Sequence, residues 1–288
     1  MDHHPEVCIF GEFEFAVRWI DGQGYPPRAK YYRQLELDRA FRAQQLTIDE
    51  SLDYEELVRS FLGQACARSG KPIAGATVHS NFHELLRIWP EARFIHLVRD
   101  PRDVSRSCIG MGWVGNAYHG TPYWIEPVRR WQAFEPQLRA EQKHQLRYED
   151  LIRQPHEELA KICEFLGISV SEKMLDYPND TTYAKPDPSL TEQWRTKLST
   201  QEVSWVESRC KPWMQVHGYS LDTTAEPPNA MESMQLAWHN RWSRVQSNVG
   251  VYGLPLYLSW QLAKRMPYNP MQKRILRRVD DIRKSRLK

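Results

Sequence analysis

Two side chains, Arg99 and Ser107, and the helix start between them suit the binding of a phosphate group. Arg99 is followed by Asp100, Asp103 and Ser107, and the last two are one helical turn apart. Arginine binds phosphate oxygens through paired hydrogen bonds, and a helix N-terminus and a serine hydroxyl add further donors. The segment therefore predicts an anion site, with a surface arginine at a strand–turn–helix junction as the alternative.

The same segment indicates the elements that position these side chains. Residues 94–98 form a mostly apolar run, which is typical of a buried parallel strand. Asp100 is a favourable N-cap and Pro101 suits the first helical position, so a helix is predicted from there to about Met111. Arg99 would then lie at the carboxyl end of the strand, where open α/β sheets bind their ligands.

The string from Arg99 to Ser107 resembles the 3′-phosphate motif of sulfotransferases, which use 3′-phosphoadenosine 5′-phosphosulfate (PAPS) as co-substrate. The likeness extends over residues 1–220 and implies that Arg99 and Ser107 hold the 3′-phosphate of the nucleotide. Residues 147–151 resemble a second landmark of the family, which implies that Tyr148 lies against the adenine. For Tyr148 the alternative is packing as a core aromatic.

The resemblance implies transfer of a sulfuryl group from PAPS to a hydroxyl or amine acceptor, with a carboxylate or histidine as the base. Glu12 follows Gly11, as the base does in one branch of the family, and is the first candidate. Glu14 would point the same way in an extended segment. His79 is the second candidate because it follows a short predicted strand. His83 is four residues further on, but without an evident third ligand the pair predicts no metal site. Solvated acids and a structural histidine are the alternatives.

One part of the family pattern does not occur in the sequence. Sulfotransferases hold the 5′-phosphosulfate with a Gly-rich loop of Ser-Gly-Thr-Thr type, whose backbone N–H groups face the anion. No such string is present, and residues 1–7 resemble the segment just after that loop in the family. The expectation is a chain that begins after the loop. The alternative function is therefore an inactive sulfotransferase-like remnant that acts as a binding or membrane-surface protein.

Strands and helices alternate along the chain, which predicts an α/β fold with a parallel sheet flanked by helices and a helical C-terminal extension. The predicted divisions are an α/β domain over residues 1–220, a linker over 221–234 and a basic amphipathic extension over 235–288. Capping boxes at 189–192 and 199–202 predict two helix starts.

Charge and cysteine usage give expectations about partners. Residues 235–288 carry twelve Lys or Arg and two acidic residues, although the whole chain has a net charge of +3. The apolar stretch 249–263 beside them predicts a surface for anionic membrane lipid, with a helix docked on the core as the alternative. No nucleic-acid module accompanies the charge, so nucleic-acid binding is not predicted. Five scattered cysteines and an N-terminus without a signal-peptide pattern favour a cytoplasmic protein, peripheral at a membrane surface at most.

Overall fold

A computed structural model describes residues 1–177, 186–265 and 269–286, with the backbone alone for 283–286. The chain divides into two compact units. The first unit comprises Met1–His96, Phe134–Gln145 and Pro155–Pro186, and the second comprises Leu97–Ala133, Leu146–Gln154 and Asp187–Lys288. The predicted boundaries at 220 and 234 both lie within the second unit.

The described strands pair as two small sheets. The strands are β1 (Val7–Glu12), β2 (Ile73–Thr77), β3 (Phe94–Val98) and β4 (Lys143–Arg147). β1 pairs with β2, and β3 with β4. The α-helices of the described residues are α1 (Arg28–Leu37), α2 (Arg39–Ala43), α3 (Tyr54–Ser69), α4 (Leu85–Ile88), α5 (Pro101–Gly110), α6 (Ala117–Gly120), α7 (Pro122–Phe134), α8 (Tyr148–Arg153), α9 (Pro155–Leu166), α10 (Trp194–Lys197), α11 (Thr200–Met214), α12 (Ala230–Tyr252), α13 (Leu254–Ala263) and α14 (Pro270–Arg286).

The first unit is built around the parallel pair of β1 and β2. Val7 lies opposite Ile73, and α1 to α3 connect the two strands, as a parallel crossover requires. α3 begins with a capping box between Asp53 and Glu56. The segment after β1 and these helices bury a cluster of aromatic and aliphatic side chains, which includes Phe10, Phe13, Phe15, Tyr31, Leu35, Phe41, Leu57 and Phe61.

The core of the second unit joins the end of β3 to α6, α7 and α11. Its buried members are Val98, Ala117, Trp124, Val128, Val206, Cys210, Met214 and Tyr219. α5 begins at Pro101 with Asp100 as N-cap, as predicted, because the Asp100 carboxylate accepts a hydrogen bond from the Arg102 N–H. α5 also packs on α6 so closely that a Cβ on Gly120 would lie 2.7 Å from the Ser105 backbone.

Three local expectations need correction. β3 is not buried on both faces, since Ile95 and Leu97 are 37% and 50% exposed. The capping box at 189–192 does not form: Asp187 caps a single 3₁₀ turn over Pro188–Leu190 instead, whereas the box at 199–202 is present and starts α11. α12 begins at Ala230, inside the predicted linker.

Within the described ranges, each helix is either too short or too polar to cross a membrane.

Candidate functional site

Arg99 lies directly after β3, at the carboxyl end of the strand as predicted. Its guanidinium carbon is 4.4 Å from the centre of the Tyr148 ring, and its Nη2 donates to the carbonyl oxygen of Leu190 at 2.8 Å. The side chain is 27% exposed, yet its Nε is buried and has no hydrogen-bond partner. Arg99 thus holds a fixed positive charge with a donor left unused, which fits an anionic ligand.

The backbone on either side of Arg99 is held by other side chains. Trp124 Nε1 donates to the Arg99 carbonyl at 2.7 Å, and the Asp100 N–H donates to Glu149 Oε1 at 2.9 Å. The second oxygen of Glu149 accepts from the Tyr219 hydroxyl at 2.8 Å. Burial, and then the adjacent Glu149, raise the pKa of Tyr219, so this hydroxyl stays a donor. The turn is therefore positioned independently of the Arg99 side chain.

A buried ion network lies beneath the turn. Arg102 donates from Nη2 to Asp100 Oδ2 and from Nη1 to Glu207 Oε1, each at 2.7 Å. The three side chains are at most 4% exposed. The Trp194 ring covers the Arg102 guanidinium, whose carbon is 3.7 Å from the ring centre. Glu207 also accepts from the N–H and the hydroxyl of Thr223. Each charge in the network is thus paired and hydrogen-bonded, as burial demands.

This network changes one expectation about the anion site. Asp100 already occupies the N-terminus of α5, where it accepts the Arg102 N–H at 2.8 Å. A negative carboxylate in that position competes with an incoming phosphate for the same end of the helix. The N-terminus of α5 is therefore less open to an anion than the sequence suggested, whereas the Arg99 side chain is not paired with an acid at hydrogen-bond distance.

Asp103 is a buried acid near the turn, and only one of its two carboxylate oxygens has a hydrogen-bond partner. Its Oδ1 accepts from the Trp194 N–H at 2.9 Å, whereas Oδ2 is buried without a hydrogen-bond partner. Burial raises the pKa of Asp103 against the opposing effects of the Trp194 N–H and Arg99. Arg99 Nη2 is 3.9 Å from Oδ2, too far for a hydrogen bond. Asp103 therefore orients the start of α10 and leaves Arg99 available.

Two of the three predicted nucleotide contacts come together. Arg99 and Tyr148 stack, and Tyr148 is the half-buried first residue of α8. Ser107 is half-buried one turn beyond Asp103 on α5. Its position on the helix keeps it on the same face as Asp103, as the four-residue spacing predicts.

The predicted bases, Glu12 and His79, belong to the first unit. Glu12 is exposed at the end of β1, and its Oε2 is 2.6 Å from Arg39 Nη2. Glu14 does not extend the strand: it lies in a 3₁₀ turn, is buried, and accepts the His79 N–H at 2.8 Å. His79 Nε2 is 3.9 Å from the same Glu14 oxygen, and the imidazole is 70% exposed. The structure thus places Glu14, not Glu12, beside the histidine.

Metal and thiol chemistry have little support among the described residues. No group of three or more His, Cys, Asp or Glu side chains is placed to hold a metal ion there. The five cysteines are free thiols. Burial raises the pKa of Cys108 to about 11 and that of Cys210 to about 12, so both stay protonated and unreactive.

Comparison with known proteins adds to this geometry. The model of the sulfotransferase family matches residues 1–172, which is more than half of the chain. The chain belongs to the sulfotransferase family. The sulfotransferase domain from the curacin biosynthetic pathway is 18% identical and aligns with a TM-score of 0.50, covering 76% of this chain and 91% of that domain. This likeness confirms an α/β sulfotransferase fold.

Two curated relatives are similar over a shorter stretch. Carbohydrate sulfotransferase 1 of Danio rerio is 27% identical over 105 residues, which are 32% of this chain and 24% of the relative. Carbohydrate sulfotransferase 1 of Rattus norvegicus is 30% identical over 95 residues, or 28% and 23% of the two chains. The chain spans about a quarter of the length of these curated relatives.

The sequence alone did not identify the residues that hold the site in place. For Arg102 the sequence did offer an indication, because an arginine between Asp100 and Asp103 at a helix start suits a buried ion pair. Nothing in the sequence indicated Glu207 or Tyr219, because each reaches the turn after β3 only through the tertiary fold.

Proposed function

We propose that this sulfotransferase moves a sulfuryl group from PAPS to a hydroxyl group of a carbohydrate. The donor rests on the family and on Arg99, whose buried Nε is unpaired at the end of β3. The acceptor class rests on the names of the two curated relatives. The resemblance also allows an amine acceptor, and an amino sugar would present both groups.

Arg99 is the residue on which the donor site depends. Its guanidinium pairs with the 3′-phosphate, and the Ser107 hydroxyl donates to the same group. Tyr148, whose ring packs against the Arg99 guanidinium, contacts the adenine in this proposal. Stacking of a base on an aromatic ring contributes about 1–3 kcal/mol in single-stranded nucleic acids, and a similar order is expected here.

His79 is the better placed of the two candidate bases. Its imidazole is exposed, and His79 Nε2 is 3.9 Å from the buried Glu14 carboxylate. In the proposed reaction the His79 imidazole takes the proton of the acceptor hydroxyl as a general base. The new bond joins the acceptor oxygen to sulfur as the bond between sulfur and the nucleotide phosphate oxygen breaks. Glu12 is the second candidate, and its pairing with Arg39 lowers its availability.

Calorimetry with 3′-phosphoadenosine 5′-phosphate tests the donor site. Arg99→Ala should weaken binding by about tenfold or more, since charge-assisted hydrogen bonds are lost. Adenosine 5′-phosphate lacks the 3′-phosphate, so the same variant should bind it as the wild type does. Arg130→Ala is the matched control, because Arg130 is an exposed arginine of the same unit that pairs with Glu126 on the same helix. Equal binding of the 3′-phosphate ligand to wild type and Arg99→Ala would contradict the assignment.

Turnover with sulfur-labelled PAPS and a panel of neutral and amino sugars tests the reaction. His79→Ala should lower kcat by roughly 10²–10⁴-fold while nucleotide binding is retained. Glu12→Gln serves as the comparison, and a larger loss there would move the role of base to Glu12. Nucleotide binding without turnover on any sugar would favour the inactive remnant instead.

A further inference from the structure

α12 packs against the rest of the second unit through a polar and closely spaced face. The Gly115 N–H donates to Asn240 Oδ1 at 2.8 Å, and Asn116 Nδ2 donates to the Leu236 carbonyl at 2.9 Å. A Cβ on Gly115 would lie 2.7 Å from Ser243 Cβ and 2.8 Å from Asn240 Cα. Such close approach fixes which side of α12 faces the core.

The opposite side of α12 is apolar and exposed. Met231, Met234, Trp238 and Trp242 are 66%, 59%, 72% and 63% exposed, and their spacing of three, four and four residues places them along one helical stripe. We call these four residues the α12 stripe. An ordinary surface helix turns its apolar face inward and its polar face outward. On α12 the stripe faces outward, although Leu236 is buried on the docked side.

The next helix repeats the pattern on a smaller scale. Leu254, Leu258 and Leu262 of α13 are 55%, 51% and 64% exposed and follow each other at four-residue intervals. Lys264 and Arg265 come directly after α13 and are exposed. Large exposed apolar side chains that recur at helical spacing mark a surface for a partner.

Charge identifies the chemistry of that partner. Residues 235–282 contain eight Lys or Arg and two acidic residues. Seven of the eight basic side chains are exposed, including Arg241 beside the two stripe tryptophans and Arg277 and Arg278 on α14. A second copy of the chain would bring these positive charges against each other. A surface that is both apolar and negatively charged is complementary.

We propose that α12–α14 bind the surface of an anionic phospholipid bilayer. The α12 stripe enters the interfacial region, where tryptophan rings are favoured, and the basic side chains contact lipid headgroups. The helices lie on the membrane and do not cross it. Binding of this kind is independent of sulfuryl transfer, so it holds or fails apart from the proposed reaction.

Flotation of the full 288-residue chain with vesicles tests the proposal. Vesicles of phosphatidylcholine with phosphatidylglycerol should bind the chain, and vesicles of phosphatidylcholine alone should bind it much less. Trp238→Ser with Trp242→Ser should lower partitioning by about tenfold or more, because two large apolar side chains are lost. Val216→Ser is the matched control, since Val216 is equally exposed at 64% in the same unit but lies outside the helices proposed to bind.

The charge component has its own variant. Arg277→Gln with Arg278→Gln should weaken binding to the anionic vesicles by about fivefold per charge removed and should reduce its salt dependence. Circular dichroism shows that each variant keeps the fold before partitioning is compared.

Three outcomes would overturn the proposal. They are equal binding to neutral and anionic vesicles, unchanged binding after loss of both tryptophans, and a lipid-free dimer in sedimentation that the tryptophan variant dissociates while no vesicle is bound.

Discussion

The candidate residues lie near the ends of β1 and β3. The two ends differ in how far their charged side chains are buried. After β1, Glu12 and the His79 imidazole are exposed to water, whereas Glu14 is buried. After β3, Asp100, Arg102 and Glu207 are almost wholly buried. The first end suits groups that exchange protons with a substrate. The second suits a rigid frame that presents one fixed charge, that of Arg99.

The largest effect on stability is expected from removal of the buried cation, Arg102. Arg102→Ala should lower the free energy of unfolding by about 3–5 kcal/mol, because the charges of Asp100 and Glu207 are left buried and unpaired. Urea unfolding followed by circular dichroism measures the change. Arg130→Ala removes only an exposed pair on α7 and should lie within about 0.5 kcal/mol of the wild type. A loss of unfolding free energy below about 1 kcal/mol for Arg102→Ala would mean that the fold tolerates Asp100 and Glu207 without their cationic partner.

A second test concerns how α5 is held behind Arg99. Gly120→Ala should lower the free energy of unfolding by about 1–3 kcal/mol, since the added Cβ overlaps the Ser105 backbone. Gly110→Ala, at the end of α5 with open space around it, should be neutral or stabilising by up to about 1 kcal/mol. Equal effects of the two substitutions in thermal unfolding would contradict the tight packing of α5 on α6.

The β1 end offers a matched pair of acids. Glu14→Ala should lower the free energy of unfolding by about 1–3 kcal/mol, because the His79 N–H loses its acceptor inside the fold. Glu12→Ala breaks only the half-exposed pair with Arg39 and should lower it by less than about 1 kcal/mol. The comparison is made in urea with both variants, and the reverse order would show that Glu12 is the structural acid.

The smallest effect expected is a pH dependence at the β3 end. Burial raises the pKa of Asp103 above its ordinary value of 3.8, so the folded state retains a proton that the unfolded state has lost. The contribution of Asp103 to stability is therefore greatest below 3.8 and falls as the pH rises through its raised pKa. The Asp103→Asn variant has no carboxyl group at this position, so this pH dependence is absent from it. The unfolding free energy of the wild type minus that of Asp103→Asn should accordingly decrease from acid to neutral pH, and a rising difference would reverse the assigned sign.

What the sequence predicts well about this fold is local. Asp100 with Pro101 starts α5, and the box of Ser199 with Glu202 starts α11, because the bonding partners lie within three residues of each other. The family resemblance likewise depends on short strings, and the comparisons confirm it together with the fold class. The roles of Arg99, Ser107, Tyr148, Glu12 and His79 stay predictions.

Features that the sequence could not predict depend on distant partners. Glu207 is 105 residues from Arg102, and nothing near either residue marks the pair. The residues at 189–192 have the sequence of a capping box but do not form one. Asp187 and Pro188 start a turn earlier in the chain, and Glu192 pairs with Arg153 at 2.8 Å. The apolar run of β3 indicated burial on both faces, but only one other described strand pairs with it.

The docking of α12 has a consequence for its thermodynamics. The contact joins Gly115 and Asn116 to Asn240 and Ser243, and Leu236 is the buried apolar side chain that α12 adds. Release of the helix would therefore hydrate few apolar atoms besides Leu236. The heat-capacity change and the denaturant dependence of that step would both be small compared with global unfolding. Hydrogen exchange at α12 would then proceed by a local opening that low concentrations of urea scarcely change.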